Sequence, residues 1–473
     1  MLDNKIKETF PNESVIKHSD NYSVFAGTNL PSFIKDFLIK RYSNTDGLLD
    51  KNGVLRFIAE HIPSKHNDFR SRLRTNHEEV TILARIIIET DLKNDKTLFS
   101  IPDLEIKSSE GRIPDHVIRR HHELKRDGEL WGVVTLGYEP PNGKERGYVQ
   151  LLDYKPFKPY KISFDYLKKA RAKYSILEWI DLLIRAMEYN PDAFESLSQK
   201  LMFLSRLLVF VEPRLNMIEL APKGTGKSYV FGQLSKYGWL ISGGVVSRAK
   251  LFYDMQKKSM GIIRLYDFIS MDEIQTIHFS DPDELKAALK TYLEQGYTNI
   301  MGVRVESMAS VMLMGNIPLN KRNLPISGKY FSELPDIFKE SALLDRFHGF
   351  IEGWYLPRIN EDLKVKGYTL NVEYFSEILH ELRTSPEYAV TVNDLLDIPA
   401  RADTRDTTAV KRLATAYLKL LFPNVTNASE INKQDFKDFC LNPAMEKRRI
   451  IREQISLIDD EFTPNMPEIK IKD

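Results

Sequence analysis

The segment that most constrains this chain is Ala221-Pro222-Lys223-Gly224-Thr225-Gly226-Lys227-Ser228. It follows a short apolar run, Asn216-Met217-Ile218-Glu219-Leu220, and precedes a helical stretch over 229–234. This is the Walker A pattern, with Ala in place of the first Gly. Glycines there let backbone N–H groups converge on phosphate oxygens without a Cβ clash. The start of the following helix adds positive potential. Lys227 is expected at the β- and γ-phosphates and the Ser228 hydroxyl on Mg²⁺. Such a loop commits the surrounding chain to an α/β fold with a parallel sheet.

Downstream, 262–267 leads into Phe268-Ile269-Ser270-Met271-Asp272-Glu273, an apolar run ending in two acids. Acids often end strands, so the pattern gains meaning only from the phosphate loop before it. Asp272 is then expected to hold Mg²⁺ through water, and Glu273 to polarise the attacking water as general base. Ser310-Val311-Met312-Leu313-Met314-Gly315 is a further buried strand ending at Asn316, which is placed to position the same water. The alternative is a turn-forming Asn before Ile317-Pro318. In Leu343-Leu344-Asp345-Arg346-Phe347, Arg346 is a candidate arginine finger reaching a neighbouring subunit's γ-phosphate. The alternative is an ordinary ion pair with Asp345.

The rest of the 473 residues divides around this core. Residues 1–76 read as helical, with helices over 31–42 and 54–62, then the basic run Arg70, Arg72, Arg74. That run suits either a DNA-binding helical unit or a solvated basic face. Residues 77–160 read as β-rich: strands over 80–88, 131–138 and 147–154, with Pro140-Pro141-Asn142-Gly143 as a hairpin connection. A basic helix over 116–126 falls between them, carrying Arg119, Arg120, Lys125 and Arg126. The order suits a small barrel with one helix, of the oligonucleotide-binding (OB) type. His116, His121 and His122 have no acidic or thiol partner at ligand spacing and read as surface residues. Lys155-Pro156-Phe157-Lys158-Pro159 reads as a stiff linker. Residues 161–355 hold leading helices and the phosphate-loop core, 356–460 a helical lid, and 461–473 a polar tail.

Lys+Arg 67 against Asp+Glu 66 excludes a histone-like polycation but not a local basic channel. One cysteine, Cys440, rules out an internal disulfide or a zinc finger and fits a reducing compartment. No run approaches the ~20 apolar residues a membrane span takes, and the start shows no signal core. A cytoplasmic location is expected.

The order of Walker A, Walker B, Asn316 and Leu-Asp-Arg346-Phe resembles the AAA+ ATPases, and within them the MCM helicase branch. There the finger motif is Ser-Arg-Phe-Asp; here Asp345 replaces the Ser and His348 stands near the acidic position. Arg405-Asp-Thr-Thr-Ala-Val-Lys-Arg412-Leu is similar to the MCM sensor-2 helix. The resemblance puts Arg405 at the γ-phosphate, with Arg412 as second choice; the alternative is a basic helix face. Ile218-Glu219-Leu220, Leu240-Ile241-Ser242-Gly243-Gly244, Leu251-Phe252-Tyr253, Gly315-Asn316-Ile317, Glu178-Trp179-Ile180-Asp181 and Leu418-Lys419-Leu420-Leu421-Phe422-Pro423 resemble the BrxL family. These are Lon-like AAA+ proteins of the BREX phage-defence systems. The resemblance implies ATP and Mg²⁺ as ligands and a homo-oligomeric ring, hexameric or doubly so, around duplex DNA. It also implies contact with other BREX components and no membrane. Family members commonly carry a C-terminal Lon-protease-like domain. No Pro-Ser-Ala-Gly-type serine motif is found after the lid, so protease activity is not expected of this chain.

For DNA, the segment 296–307 reads as a hairpin turning at Gly302, and the resemblance to the MCM branch places such a hairpin in the central channel. Arg304 is its candidate phosphate contact, with an ordinary exposed Arg as the alternative. Arg248 and Lys250, after Gly243-Gly244, are a second candidate pair, or else a solvated basic turn. Two other functions stay open: a protein-remodelling unfoldase that partners a protease, and a nucleotide-gated scaffold for DNA or defence partners.

Overall fold

The computed structural model describes residues 1–473 apart from 1, 29, 45–46, 64–67, 92–93, 126–127, 144, 257 and 473. Arg126 therefore lies outside the described residues.

The centre of the molecule is a five-stranded parallel sheet. Its spatial order is Gly349–Glu352, Met217–Ala221, Ser310–Asn316, Phe268–Asp272 and Gly238–Ser242. The three middle strands are buried along their length, Asn316 at one end excepted, and their mostly apolar residues are interrupted by the buried Glu219 and Ser270. Register sets the chemistry: Asn316 lies opposite Ala221, Met271 opposite Leu313, and Asp272 opposite Ser242. The carboxyl ends of the phosphate-loop, Asn316 and Asp272 strands are thus side by side, where an open α/β sheet binds ligands.

Residues 80–156 close into a five-stranded barrel. Its first, second, third, fifth and fourth strands neighbour one another in that order, and the fourth returns to the first. The third and fifth strands are parallel, and helix Asp115–Arg120 enters between the third and fourth. This is the expected OB arrangement. Strands Lys96–Ser100 and Gly111–Ile113 were not foreseen; each is too short to show a period-2 pattern. The basic helix is also shorter than the 116–126 expected. It stops at Arg120, His121 turns extended towards Asp153 (3.2 Å), and a 3₁₀ turn, His122–Lys125, seats Leu124 in the barrel core.

The expected stiff linker is more than a spacer. Lys155 and Pro156 end the last barrel strand, and the Phe157 ring packs edge-on against Phe37 at 5.1 Å. Phe37 belongs to helix Ser32–Tyr42 of the N-terminal region. That region shares one apolar core with the leading helices and the lid: Ile6, Phe10 and Ile34 cluster with Trp179, Leu207, Tyr374 and Leu413. Strand Ser14–Lys17 pairs antiparallel with Gly367–Leu370 of the lid region.

The leading helix Ile176–Ala186 starts at a capping box between Ser175 and Glu178. Its Trp179 ring is buried, and the indole N–H donates to the Leu420 carbonyl at 3.0 Å. Leu420 lies in the lid helix Thr404–Leu421, whose start is capped by Asp403. The expected tail also docks: Lys470–Ile471 pairs with Leu396–Asp397. Among the described residues no helix is long and apolar enough to cross a membrane, and Cys440 is buried.

Trp179→Ala would empty a buried ring site and strand the Leu420 carbonyl. It should cost about 3–5 kcal/mol, read as a lower urea midpoint by far-UV circular dichroism; an unchanged midpoint would refute this role for Trp179.

Candidate active site

Local backbone geometry shapes the phosphate loop. Gly224 and Gly226 both take left-handed φ, +82° and +81°. A Cβ on Gly224 would point into open space, the space that a phosphate chain would occupy. Lys227 opens the following helix, Lys227–Gln233, and is buried. Its Nζ donates to the carbonyls of Ala221 (3.2 Å) and Pro222 (3.4 Å) and to Asn316 Oδ1 (3.5 Å). Burial pushes the Lys227 ammonium below the ordinary lysine range, while the Glu219 carboxylate acts the other way. A cation held with only backbone carbonyls and an amide is poised for phosphate oxygens.

The acids stand against this loop. The Ser228 hydroxyl donates to the Asp272 carboxylate. Asp272 is buried, and its other oxygen accepts the Glu273 N–H at 2.9 Å. Glu273 leaves the strand in the left-handed region, φ +47°, and its side chain is exposed. A non-glycine residue held there marks a backbone set by its surroundings. One such constraint is Gln275, which the sequence reading missed. Its amide N–H donates to the Asn316 carbonyl (2.7 Å) and its Oε1 accepts the Asn316 N–H (3.2 Å). The Walker B turn and the Asn316 strand end are thereby locked together.

Arg346 and Arg405 are brought together, but not onto this loop. Arg346 Nε lies 2.9 Å from Glu294, and Arg405 Nη2 lies 3.2 Å from the same carboxylate. Arg405 also donates to Asp345 at 2.9 Å. The alternative Arg346–Asp345 pair is not the one formed; Asp345 takes Arg405 and Arg448 instead. Arg412 donates to the Pro213 carbonyl at 2.7 Å. Among the described residues no hydrogen bond or ion pair joins these arginines to Lys227, Ser228, Asp272 or Glu273.

The family profile described as "Lon-like protease BrxL-like, ATPase domain" matches residues 149–468. A second, "BREX system Lon protease-like protein BrxL N-terminal", matches 8–138. The chain belongs to the BrxL family. It is 27% identical over 435 residues to the "Lon-like protease BrxL" of Escherichia coli O9:H4 (strain HS), covering 91% of this chain and 61% of that protein. It is 25% identical over 453 residues to the protein of the same name from Bacillus cereus (strain H3081.97), covering 94% of this chain and 65% of that one. The chain thus spans under two thirds of the length of the curated relatives it matches.

In this BrxL-family chain, among the described residues, no hydrogen bond or ion pair joins Arg304, Arg248 or Lys250 to the phosphate loop. The hairpin forms as expected, from Tyr297–Ile300 and Val303–Glu306. Arg304 is exposed, lies 3.8 Å over the Tyr297 ring and pairs with Glu306 at 3.4 Å. Met301, at the tip, is 72% exposed. Arg248 is held by Glu284 at 2.5 Å, and Lys250 is exposed.

Three further buried residues join these segments, of which the sequence reading noted only His348. Arg206 is fully buried, grips Glu219 with two nitrogens (3.0 and 2.5 Å) and donates to the Thr225 carbonyl at 2.8 Å. Arg448, also fully buried, joins Asp345 (2.5 Å) to Asp406 (2.7 Å) and donates to the Phe347 carbonyl. His348 accepts the Asn216 N–H through Nδ1 at 2.9 Å. Burial, reinforced by Arg412 and Arg448, pushes the His348 pKa well below 6.5.

The sign of that shift gives a testable pH effect. Below about pH 6.5 the unfolded chain takes up a proton that native His348 refuses, so stability falls by up to about 1.4 kcal/mol per pH unit. His348→Gln keeps an acceptor for Asn216 and should flatten this loss between about pH 7 and 5.5. Urea midpoints across that range test it, and equal slopes for both proteins would refute it.

Proposed function

We propose that this chain is the ATP-hydrolysing subunit of a ring that works on duplex DNA in BREX defence. The carrying observation is the split of the catalytic set. Lys227, Ser228, Asp272, Glu273 and Asn316 gather at neighbouring strand ends, while Arg346 and Arg405 gather on Glu294 without touching them. Such a set is completed when one subunit's arginines face another's loop.

In this reading the loop N–H groups and Lys227 hold the ATP phosphates. Ser228 and Asp272 supply the hard oxygen donors that suit Mg²⁺, which when bound neutralises phosphate charge. Glu273 takes the proton of the attacking water, and Asn316 orients that water. Arg346 and Arg405 from the neighbour stabilise the charge on the departing phosphate. The exposed Arg304 hairpin, with Arg248 and Lys250, offers sequence-independent phosphate contacts to DNA. The apolar Met301 tip favours a second reading, in which the hairpin grips a protein segment instead.

Steady-state hydrolysis with and without duplex DNA tests this directly. DNA should stimulate the wild type, and Lys227→Ala should abolish turnover; indifference to DNA, with none retained at moderate salt, would favour the second reading. Glu273→Gln should keep ATP binding and lower kcat by about 10²–10⁴. Arg346→Ala should lower kcat by about 10³ or more. Mixing the inactive Lys227→Ala and Arg346→Ala proteins should restore part of the activity, because some interfaces then combine an intact loop with an intact arginine. No recovery despite subunit exchange would sink the shared-site arrangement.

A further inference from the structure

A cavity of about 420 Å³ opens beside the phosphate loop, between the loop helix and residues 17–35 of the N-terminal region. Its position is fixed by two lining residues, Tyr189 and Ile359. Both close over Gly226: a Cβ there would stand 2.1 Å from Tyr189 Oη and 3.2 Å from Ile359 Cδ1. The Ile359 N–H also donates to the Gly224 carbonyl at 2.7 Å. The cavity therefore begins where the phosphate loop ends.

Its lining suits a flat, partly polar ligand. Tyr189, Tyr229, Ile359 and Val365 present apolar surface. Tyr229 Oη shares a hydrogen bond with Ser32 (2.8 Å) and donates to Glu188, and Glu188 also pairs with Lys17 at 2.5 Å. Tyr189 is 4% exposed, yet its hydroxyl has no hydrogen-bond partner. That hydroxyl is turned onto Gly226, so the Tyr189 ring, rather than its oxygen, forms the wall that the cavity shares with the phosphate loop. The volume falls within the range of about 300–1,000 Å³ of small-molecule sites.

We propose that this cavity receives the base and ribose of the nucleotide whose phosphates lie on the loop, and that the N-terminal region supplies one wall of that site through Ser32 and Lys35. The proposal rests on the nucleotide reading above and adds to it a shared site. Residues from the N-terminal match (8–138) and the ATPase match (149–468) enclose one nucleoside. Nucleotide occupancy then bears directly on the N-terminal region.

Photolabelling of the wild-type protein with 8-azido-ATP, competed by unlabelled ATP and mapped by peptide, tests this without a variant. Label within 17–35 or 359–366 is expected. ATP-competed label on Glu188, Tyr189 or Tyr229 alone would keep the cavity but remove the N-terminal wall, and label found only outside all of these residues would overturn the cavity while leaving the phosphate loop intact. Calorimetry with ADP and with tripolyphosphate separates the two readings further. Val365→Trp and Lys35→Trp, which fill the cavity from opposite sides, should each weaken ADP by about tenfold or more and leave tripolyphosphate unchanged. ADP binding at wild-type strength in both variants would overturn the proposal. Lys227→Ala should lose both ligands; if it loses neither, the nucleotide reading itself fails.

Discussion

The buried pair of Arg206 and Glu219 is the constraint on which the site depends. Glu219 sits in the strand that feeds the phosphate loop, and Arg206 comes from a turn of the helices leading into it. Two buried charges cost several kcal/mol each to desolvate, and only a near-ideal geometry recovers that. Here the guanidinium uses two nitrogens on the carboxylate and its third on the Thr225 carbonyl, inside the loop. The charge pair therefore fixes a direction as well as a contact. It ties the loop to its own strand and to the preceding turn. Glu219 also counters the burial that pushes Lys227 towards its neutral form.

A second buried network does for the arginines what Arg206 does for the loop. Arg448, on the last long helix, holds Asp345 and Asp406 together; Asp345 in turn holds Arg405. The segment bearing Arg346 and the start of the lid helix are thus one electrostatic unit. Burial pushes the Asp406 carboxyl up, and the Arg448 charge opposes that push. The Arg346 segment and the start of the Thr404–Leu421 helix are held to each other by the same buried charges.

How much of this was legible in the sequence follows from how local each pattern is. The loop, the Asp272–Glu273 turn, the Asn316 strand end, the 296–307 hairpin and the lid helix each carry their meaning in a short run, and each formed where expected. The barrel was legible through its three long strands, of 12, 12 and 9 residues, and not through the strands of five and three residues, which are too short to stand out from their surroundings. Arg206, Gln275, Glu294 and Arg448 were not legible. Their partners are set by tertiary position: Arg448 meets Asp345 across 103 residues, and Arg405 meets Glu294 across 111. A buried arginine in an apolar helix has no periodic signature of its own. The linker around Phe157 was misjudged for a similar reason, since its composition is that of a spacer while its ring is that of a core residue.

That ring shows how the barrel and the nucleotide site are joined. Lys236 follows the loop helix and donates to the Phe157 carbonyl at 3.0 Å, where the barrel ends. The same ammonium pairs with Glu373 and Glu377 of the lid helix Val372–Leu382, at 2.5 and 2.7 Å. Burial raises the Glu373 carboxyl to about 7 in spite of the opposing Lys236 charge. One buried cation thus anchors barrel, lid and loop helix at a point. Any displacement of that helix has to stretch a charge-assisted contact to the barrel, to the lid, or to both. In a low-dielectric interior such contacts resist stretching more than apolar packing does. The geometry therefore favours the three parts moving together over the loop helix moving alone.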